Sequence, residues 1–238
     1  MRIITVGDLH GKSYWEKVKN ETTDKIIFLG DYVDSYTHSN VEILHNLNNI
    51  IQFKNDFPNL VELLIGNHEV QYMRNYGYAK YGCTGYRNLM THDLGQLFAD
   101  NKKYFNAAYQ YNSNGLSYLW THAGITNKWY KDFLTEYSEK IEIDEFLDAS
   151  LSDKLNIGFE YKMDSIFQVS FYRGGMSNYS GILWADYQET KKDMLNNWHQ
   201  IVGHTHLPDI TIVKKDMYTS ITYLDCLDTK IKFHTLDI

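Results

Sequence analysis

Five short polar clusters, each carrying a glycine, hold the side chains of this 238-residue chain that could do chemistry. They are Gly7-Asp8-Leu9-His10-Gly11, Gly30-Asp31-Tyr32-Val33-Asp34, Gly66-Asn67-His68-Glu69, Thr121-His122-Ala123-Gly124 and Gly203-His204-Thr205-His206. Together they supply three aspartates (Asp8, Asp31, Asp34), the carboxamide of Asn67 and five imidazoles (His10, His68, His122, His204, His206). The chain has 10 histidines, so half of them fall within these few residues. A single Gly-Asp or Gly-His is an ordinary polar turn; five such clusters in one chain are not. Carboxylate, imidazole and carboxamide without thiolate suit Mn, Fe, Zn or Mg rather than a soft metal.

Each cluster follows a short apolar run: Ile3 to Val6, Ile26 to Leu29, Leu60 to Ile65, Leu116 to Trp120, and Ile201-Val202. Runs of this length that stop at turn residues read as buried strands. In open α/β folds ligands bind beyond the carboxyl ends of the strands, where these clusters fall. From Val41 to Phe53 the spacing of Val41, Leu44, Leu47 and Ile51 predicts a helix, closed by Pro58. Strand, helix and strand in so short a span form a parallel crossover unit. Ile210 to Val213, Ser220 to Leu224 and Ile231 to Thr235 are separated only by turns and read as antiparallel. The stretches at about 72–114 and 129–180 show no comparable strand signal and read as helical and loop cap insertions. The expectation is one α/β domain over 1–238, with a mixed sheet or two stacked sheets.

Composition sets further bounds. Hydrophobic residues are 43% and charged residues 22%, which excludes a disordered or fibrous chain. No apolar run approaches the roughly 18 residues of a membrane span. The chain opens on an apolar strand without signal-peptide features, so a cytoplasmic, soluble protein is expected. The two cysteines, Cys83 and Cys226, read as buried, unpaired thiols. A net charge of -7 weighs against duplex nucleic acid as a partner, though a local metal charge can still hold a phosphate.

The five clusters resemble the signature motifs of the calcineurin-like metallophosphoesterases. Val33-Asp34 and Asn67-His68-Glu69 are similar to the phosphoprotein phosphatase branch, which includes serine/threonine phosphatases and diadenosine tetraphosphatases. The resemblance runs from residue 7 to 206 and implies a β-sandwich of mixed sheets flanked by helices. It also implies two divalent metal ions, with Mn first and Fe, Zn or Mg satisfying the same ligands. Asp8, His10 and His206 would bind one ion, Asn67, His122 and His204 the other, and Asp31 both. His68 would be the general acid, oriented by Asp34. The implied reaction is hydrolysis of a phosphomonoester on a small molecule, nucleotide or phosphoprotein, by a hydroxide bridging the ions. Two divalent ions, less the charges of Asp8, Asp31 and that hydroxide, leave about +1 to hold an anion. The alternative is a phosphodiesterase or dinucleoside polyphosphate hydrolase. A scaffold that kept the fold without the reaction is a remote third reading, since no ligand of the motifs is lost.

One departure stands out. The phosphatase branch usually follows Val-Asp with a phosphate-holding Arg, and this chain has Ser35. Loss of a bidentate guanidinium requires another anchor or another substrate class. Arg173, beside Gly174-Gly175, is the first candidate, with Arg74 next and Arg87 further along. The tyrosine-rich stretch Val70 to Met90 could stack on a base, but packing under a cap is the plainer reading. Trp184-Ala185-Asp186 reads as a structural turn. The acidic stretch Glu136 to Asp153 reads as a solvated helix face.

Overall fold

The structure, a computed structural model, describes residues 1–73, 82–141 and 148–238. In chain order the strands and helices are β1 (Arg2–Val6), β2 (Lys25–Phe28), α1 (Asn40–Asp56), β3 (Val61–Leu64), α2 (Asn67–Val70), α3 (Thr91–Asp100), β4 (Phe105–Asn106), β5 (Ala108–Ser113), β6 (Leu116–Thr121), α4 (Asn127–Lys140), α5 (Leu151–Glu160), α6 (Tyr187–Lys192), β7 (His199–Val202), β8 (Thr211–Lys214), β9 (Ser220–Tyr223) and β10 (His234–Asp237). They divide into two compact units. The first comprises Met1–Asn106, His206–Ile210 and Leu224–Ile238; the second comprises Ala107–Thr205 and Thr211–Tyr223.

The first unit is built on a mixed sheet in the order β10-β1-β2-β3-β4. Strands β1, β2, β3 and β4 run parallel, and β10 closes one edge antiparallel to β1. The parallel crossover is β2–α1–β3, as the spacing predicts. Ser39 caps α1, accepting from the Glu42 amide while the Glu42 carboxylate accepts from the Ser39 amide. The buried face of α1 agrees with the predicted one in part. Leu47 and Ile51 are buried as expected, but Val41 is 76% exposed and Leu44 half-buried, while Ile43 and Ile50 complete the stripe that enters the core. Asn46 is buried with them because its Oδ1 accepts from the Trp15 indole at 2.8 Å and its amide donates to the Lys12 carbonyl.

The second unit has a mixed sheet in the order β5-β6-β7-β9-β8. Strands β6, β7 and β9 are parallel, while β5 and β8 are antiparallel edges. Asn156 of α5 holds the start of β5 by accepting from the Ala107 and Ala108 amides. The architecture is mixed α/β, with two mixed sheets flanked by helices.

Two expectations are corrected here. The stretch 72–114 is not only helix and loop, since β4 and β5 lie within it. Tyr109, Gln110 and Tyr111 are half-buried, as suits an edge strand, and they lack the apolar run that marks a central one. The three C-terminal segments do not form one antiparallel group either. Strands β8 and β9 pair, but the third strand is His234–Asp237, which joins β1 of the first sheet. Ile231 lies outside it and is 47% exposed. No described helix is long and apolar enough to cross a membrane.

Candidate metal and phosphoester site

In the first unit the parallel strands end at one edge, and the polar clusters start where they stop. Asp8 and His10 follow β1, Asp31 and Asp34 follow β2, and Asn67 and His68 begin α2 after β3. Asp8, Asp31, Asp34 and Asn67 are all buried. A side chain at position 66 would meet Asp31 Oδ1 at 2.2 Å, so only glycine lets the end of β3 come this close to that carboxylate. At position 7 a Cβ would meet the Leu224 carbonyl oxygen at 2.4 Å, which fixes the end of β1 against the segment that carries Asp225.

Backbone strain collects at the same residues. His10, Asp31 and Asp34 in the first unit and His204 in the second have φ of 46°, 52°, 59° and 63°. Left-handed backbone away from glycine costs about 1 kcal/mol or more per residue and tends to persist where function requires it. The Asp31 turn is held by Glu69, whose buried carboxylate accepts from the amides of Asp31 (2.8 Å), Tyr32 (2.8 Å), Val33 (3.3 Å) and Gly66 (2.9 Å). Burial, then Asp31, raises the Glu69 carboxyl, against the pull of His68 and these amides.

The imidazoles are oriented by specific partners. His10 Nδ1 lies 3.0 Å from the Val33 carbonyl oxygen and 2.9 Å from that of Asp34. Both partners are acceptors, so Nδ1 carries the proton, and Nε2, 3.8 Å from Asp31 Oδ2, has the free lone pair. His68 places Nδ1 2.9 Å from Asp34 Oδ2 and Nε2 3.9 Å from Asp31 Oδ2. Asp34 also accepts from Gln71 Nε2 and the Tyr72 hydroxyl. Burial lowers the His68 pKa, but the charge of Asp31 and the bond to Asp34 outweigh it, and the result is about 9. Asn67 Nδ2 contacts Cys83 Sγ at 3.0 Å. Burial, then Asp31, pushes the Cys83 thiol well above its usual range in the metal-free site. Cys83 is half-buried rather than buried; Cys226 is buried, and both are unpaired.

His206 belongs to the first unit, with Nδ1 3.7 Å from Asp225 Oδ1. His10, His68, His206, Asp34 and Asp225 line one cavity of that unit. In the second unit His122 follows β6 and His204 follows the parallel neighbour β7, with the Gly203 amide bonded to the His122 carbonyl at 2.8 Å. His122 Nε2 and His204 Nδ1 are 3.2 Å apart. Two nitrogens bound tetrahedrally to one ion at about 2.1 Å would stand about 3.4 Å apart, so this pair fits a shared divalent cation. In the first unit His10, Asp31 and His68 offer ligand atoms that all lie within 4.8 Å of one another. Harder oxygen and imidazole donors around buried Asp31 suit a divalent ion of the Mn, Fe, Zn or Mg type.

Two of the three candidate arginines, Arg173 and Arg87, lie among the described residues. Arg173 Nε lies 2.9 Å from Asp186 Oδ2 and its Nη2 donates to Thr205 Oγ1 at 2.6 Å, all within the second unit. Asp186 caps α6, which is the structural role expected of Trp184-Ala185-Asp186. Arg87 donates to the carbonyl oxygens of Ser35 and His38 and to Asn40 Oδ1. Arg74 lies outside the described residues, as do Tyr76, Tyr78, Lys80 and Tyr81. Tyr72 and Tyr86 pack ring to ring at 5.2 Å, as the packing reading expects. Of the acidic stretch, 142–147 lies outside the described residues. Glu136 is not merely solvated, since it accepts from Lys140 and from the amides of Asp164 and Ser165.

Several residues around the cavity are given no individual site role by the sequence: Lys12, Glu69, Gln71, Tyr72, Asp225 and Asp228. Asp225 carries a signal that could have found it, because it too is a carboxylate just beyond a parallel strand, β9. Glu69 sits in a capping position three residues after Gly66, a pattern that points to an amide-binding carboxylate.

A family model described as calcineurin-like phosphoesterase matches residues 1–223. The chain is similar in structure to a protein serine/threonine phosphatase from Saccharomyces cerevisiae, itself described as similar to human phosphatase PP5. That match has a TM-score of 0.48 and 16% identity over 94% of this chain and 67% of the other. It is also similar to the phosphatase domain of the Legionella effector WipB, with a TM-score of 0.41 and 15% identity over 66% of this chain and 61% of that one. Among curated proteins no significant sequence match is found.

Proposed function

The chain belongs to the calcineurin-like phosphoesterase family and is a hydrolase acting on phosphoesters, and on that premise we propose that it is a binuclear metal-dependent phosphatase whose substrates are phosphomonoesters. The observation that carries this reading is His68, fixed on Asp34 at Nδ1 with Nε2 turned towards the Asp31 carboxylate. Asp8, His10, Asp31 and His206 are the donors proposed for one ion, and the binuclear reading keeps the second ligand set that the motif resemblance implies. When bound, such ions supply an acidified water and positive charge for the phosphoryl oxygens.

The protein's own groups do the rest. Asp34 holds the proton on His68 Nδ1, and Gln71 and Tyr72 hold Asp34 in turn. A protonated His68 has Nε2–H to give to the departing oxygen, which removes the cost of expelling an alkoxide. Glu69 keeps the Asp31 turn closed without touching substrate. Phosphorylated substrates follow from the family; a small molecule, nucleotide or phosphoprotein fits the reading. Mn is the proposed ion. Two unpaired thiols suit a reducing, cytoplasmic setting.

Ser35 favours a second reading, a diester or dinucleoside polyphosphate hydrolase. Its hydroxyl accepts from the amides of Thr37 and His38 at 3.2 Å each, and it brings no guanidinium to a dianionic phosphate. The two readings separate on the ratio of rates with p-nitrophenyl phosphate and bis-p-nitrophenyl phosphate after Mn²⁺ reconstitution. A ratio well above one supports the monoester reading, and a ratio below one transfers the assignment to the second.

A further inference from the structure

Lys12 follows Gly11, and its side chain is only 9% exposed. Its Nζ lies 2.7 Å from Asp228 Oδ1 and 3.4 Å from the Leu9 carbonyl oxygen. The side chain lines the cavity of the first unit that His10, His68, His206 and Ser35 also line. Among the described residues that line this cavity, Lys12 is the one lysine or arginine. Arg87 is not a rival there, because its guanidinium is taken up by the carbonyls of Ser35 and His38 and by Asn40.

The pair is asymmetric in a useful way. An ammonium so far removed from water is costly without an anion against it. Asp228, in contrast, is 55% exposed, so its carboxylate regains hydration if it lets go. A phosphate oxygen entering the cavity can take its place on Nζ, and Lys12 stays paired throughout the exchange. Ser35 brings no guanidinium to this cavity, and a compact, flexible ammonium can serve there as a point charge.

We propose that Lys12 is the residue that receives a non-bridging phosphate oxygen in this protein, with Asp228 occupying that position until the anion arrives. The inference rests on the phosphoesterase reading and adds the anchor that Ser35 removes. Lys12 and Asp228 are then competitors for one site, so their substitutions act in opposite directions on phosphate binding. A clip that merely joins two loops would leave phosphate binding unchanged in both variants.

The test is calorimetric binding of inorganic phosphate to the Mn²⁺-reconstituted protein, with metal content matched across variants. Lys12→Met is expected to weaken binding by about tenfold or more, the scale of a hydrogen bond to a charged group. Asp228→Asn, at an exposed side chain that leaves the core intact, is expected to tighten it several-fold. That gain should shrink in the Lys12→Met background, which separates direct competition from a general loss of negative charge. Unchanged binding in Lys12→Met, or an Asp228→Asn gain that persists in full without Lys12, overturns the proposal. If Lys12→Met does not fold, Asp228→Asn alone decides: unchanged or weaker binding overturns the proposal. A wild-type protein that neither binds phosphate nor hydrolyses either ester overturns the phosphoesterase reading itself. Phosphate bound by the wild type but indifferent to Lys12 overturns the anchor alone.

Discussion

His68 and Asp34 are joined by a 2.9 Å contact from Nδ1 to Oδ2, and the same carboxylate is gripped by Tyr72 and Gln71. The imidazole is therefore held by a group that cannot easily turn away. Truncating the grip should loosen the proton donor without emptying the metal site. Tyr72→Phe is expected to lower kcat about three- to tenfold with metal content unchanged, as read by steady-state kinetics and elemental analysis. Loss of metal in that variant would place Tyr72 in the ligand framework instead.

Glu69 makes a different kind of contribution. Its carboxylate satisfies four buried backbone amides, so Glu69→Ala leaves those donors without partners and opens the turn that aims Asp31. The expected cost is about 3 kcal/mol or more of folding stability, together with weaker metal binding. Urea denaturation of the metal-free protein measures the first and metal titration the second. A variant as stable as the wild type would contradict the role given to Glu69.

The metal-free protein should also show a definite pH dependence. Burial lowers the His68 pKa, but Asp31 and Asp34 overcome it and raise the value from 6.5 to about 9. The folded value lies above the unfolded one, so protonation of His68 favours the fold. That stabilisation is complete below about pH 6.5 and is lost as pH rises through about 9, with a slope of at most about 1.4 kcal/mol per unit. Denaturation of chelator-treated protein at pH 6 and pH 9 should give the higher stability at pH 6, and His68→Asn should remove this share of the slope. An unchanged slope in the variant would assign the pH dependence to other groups.

Much of this was legible in the chain because burial and chemistry leave marks at the same places. Buried parallel strands need continuous apolar runs, so Ile3–Val6 and Ile26–Phe28 announce themselves, and Gly30 at the end of the second marks where Asp31 turns sharply. Edge strands carry no such mark. Tyr109, Gln110 and Tyr111 face solvent in part and look like loop, while His234–Asp237 alternates half-buried and exposed residues. The predicted face of α1 differs at its start for a related reason: Val41 is apolar but lies in the first turn beside the Ser39 cap, where it stays exposed. The supporting contacts were the least legible. That Lys12 meets Asp228 and that Tyr72 meets Asp34 are consequences of packing between segments far apart in sequence, and no local pattern carries them.

The central claim assigns proton donation, and not metal binding, to His68, even though its ring nitrogen lies close enough to His10 and Asp31 to join them as a ligand. The most direct test is His68→Asn, reconstituted with Mn²⁺ and measured for bound metal and for turnover of p-nitrophenyl phosphate. The account predicts metal stoichiometry equal to the wild type and kcat lower by about a hundredfold or more, the range of a lost general acid. Metal lost together with activity would make His68 a ligand, and turnover preserved with full metal would remove it from the reaction.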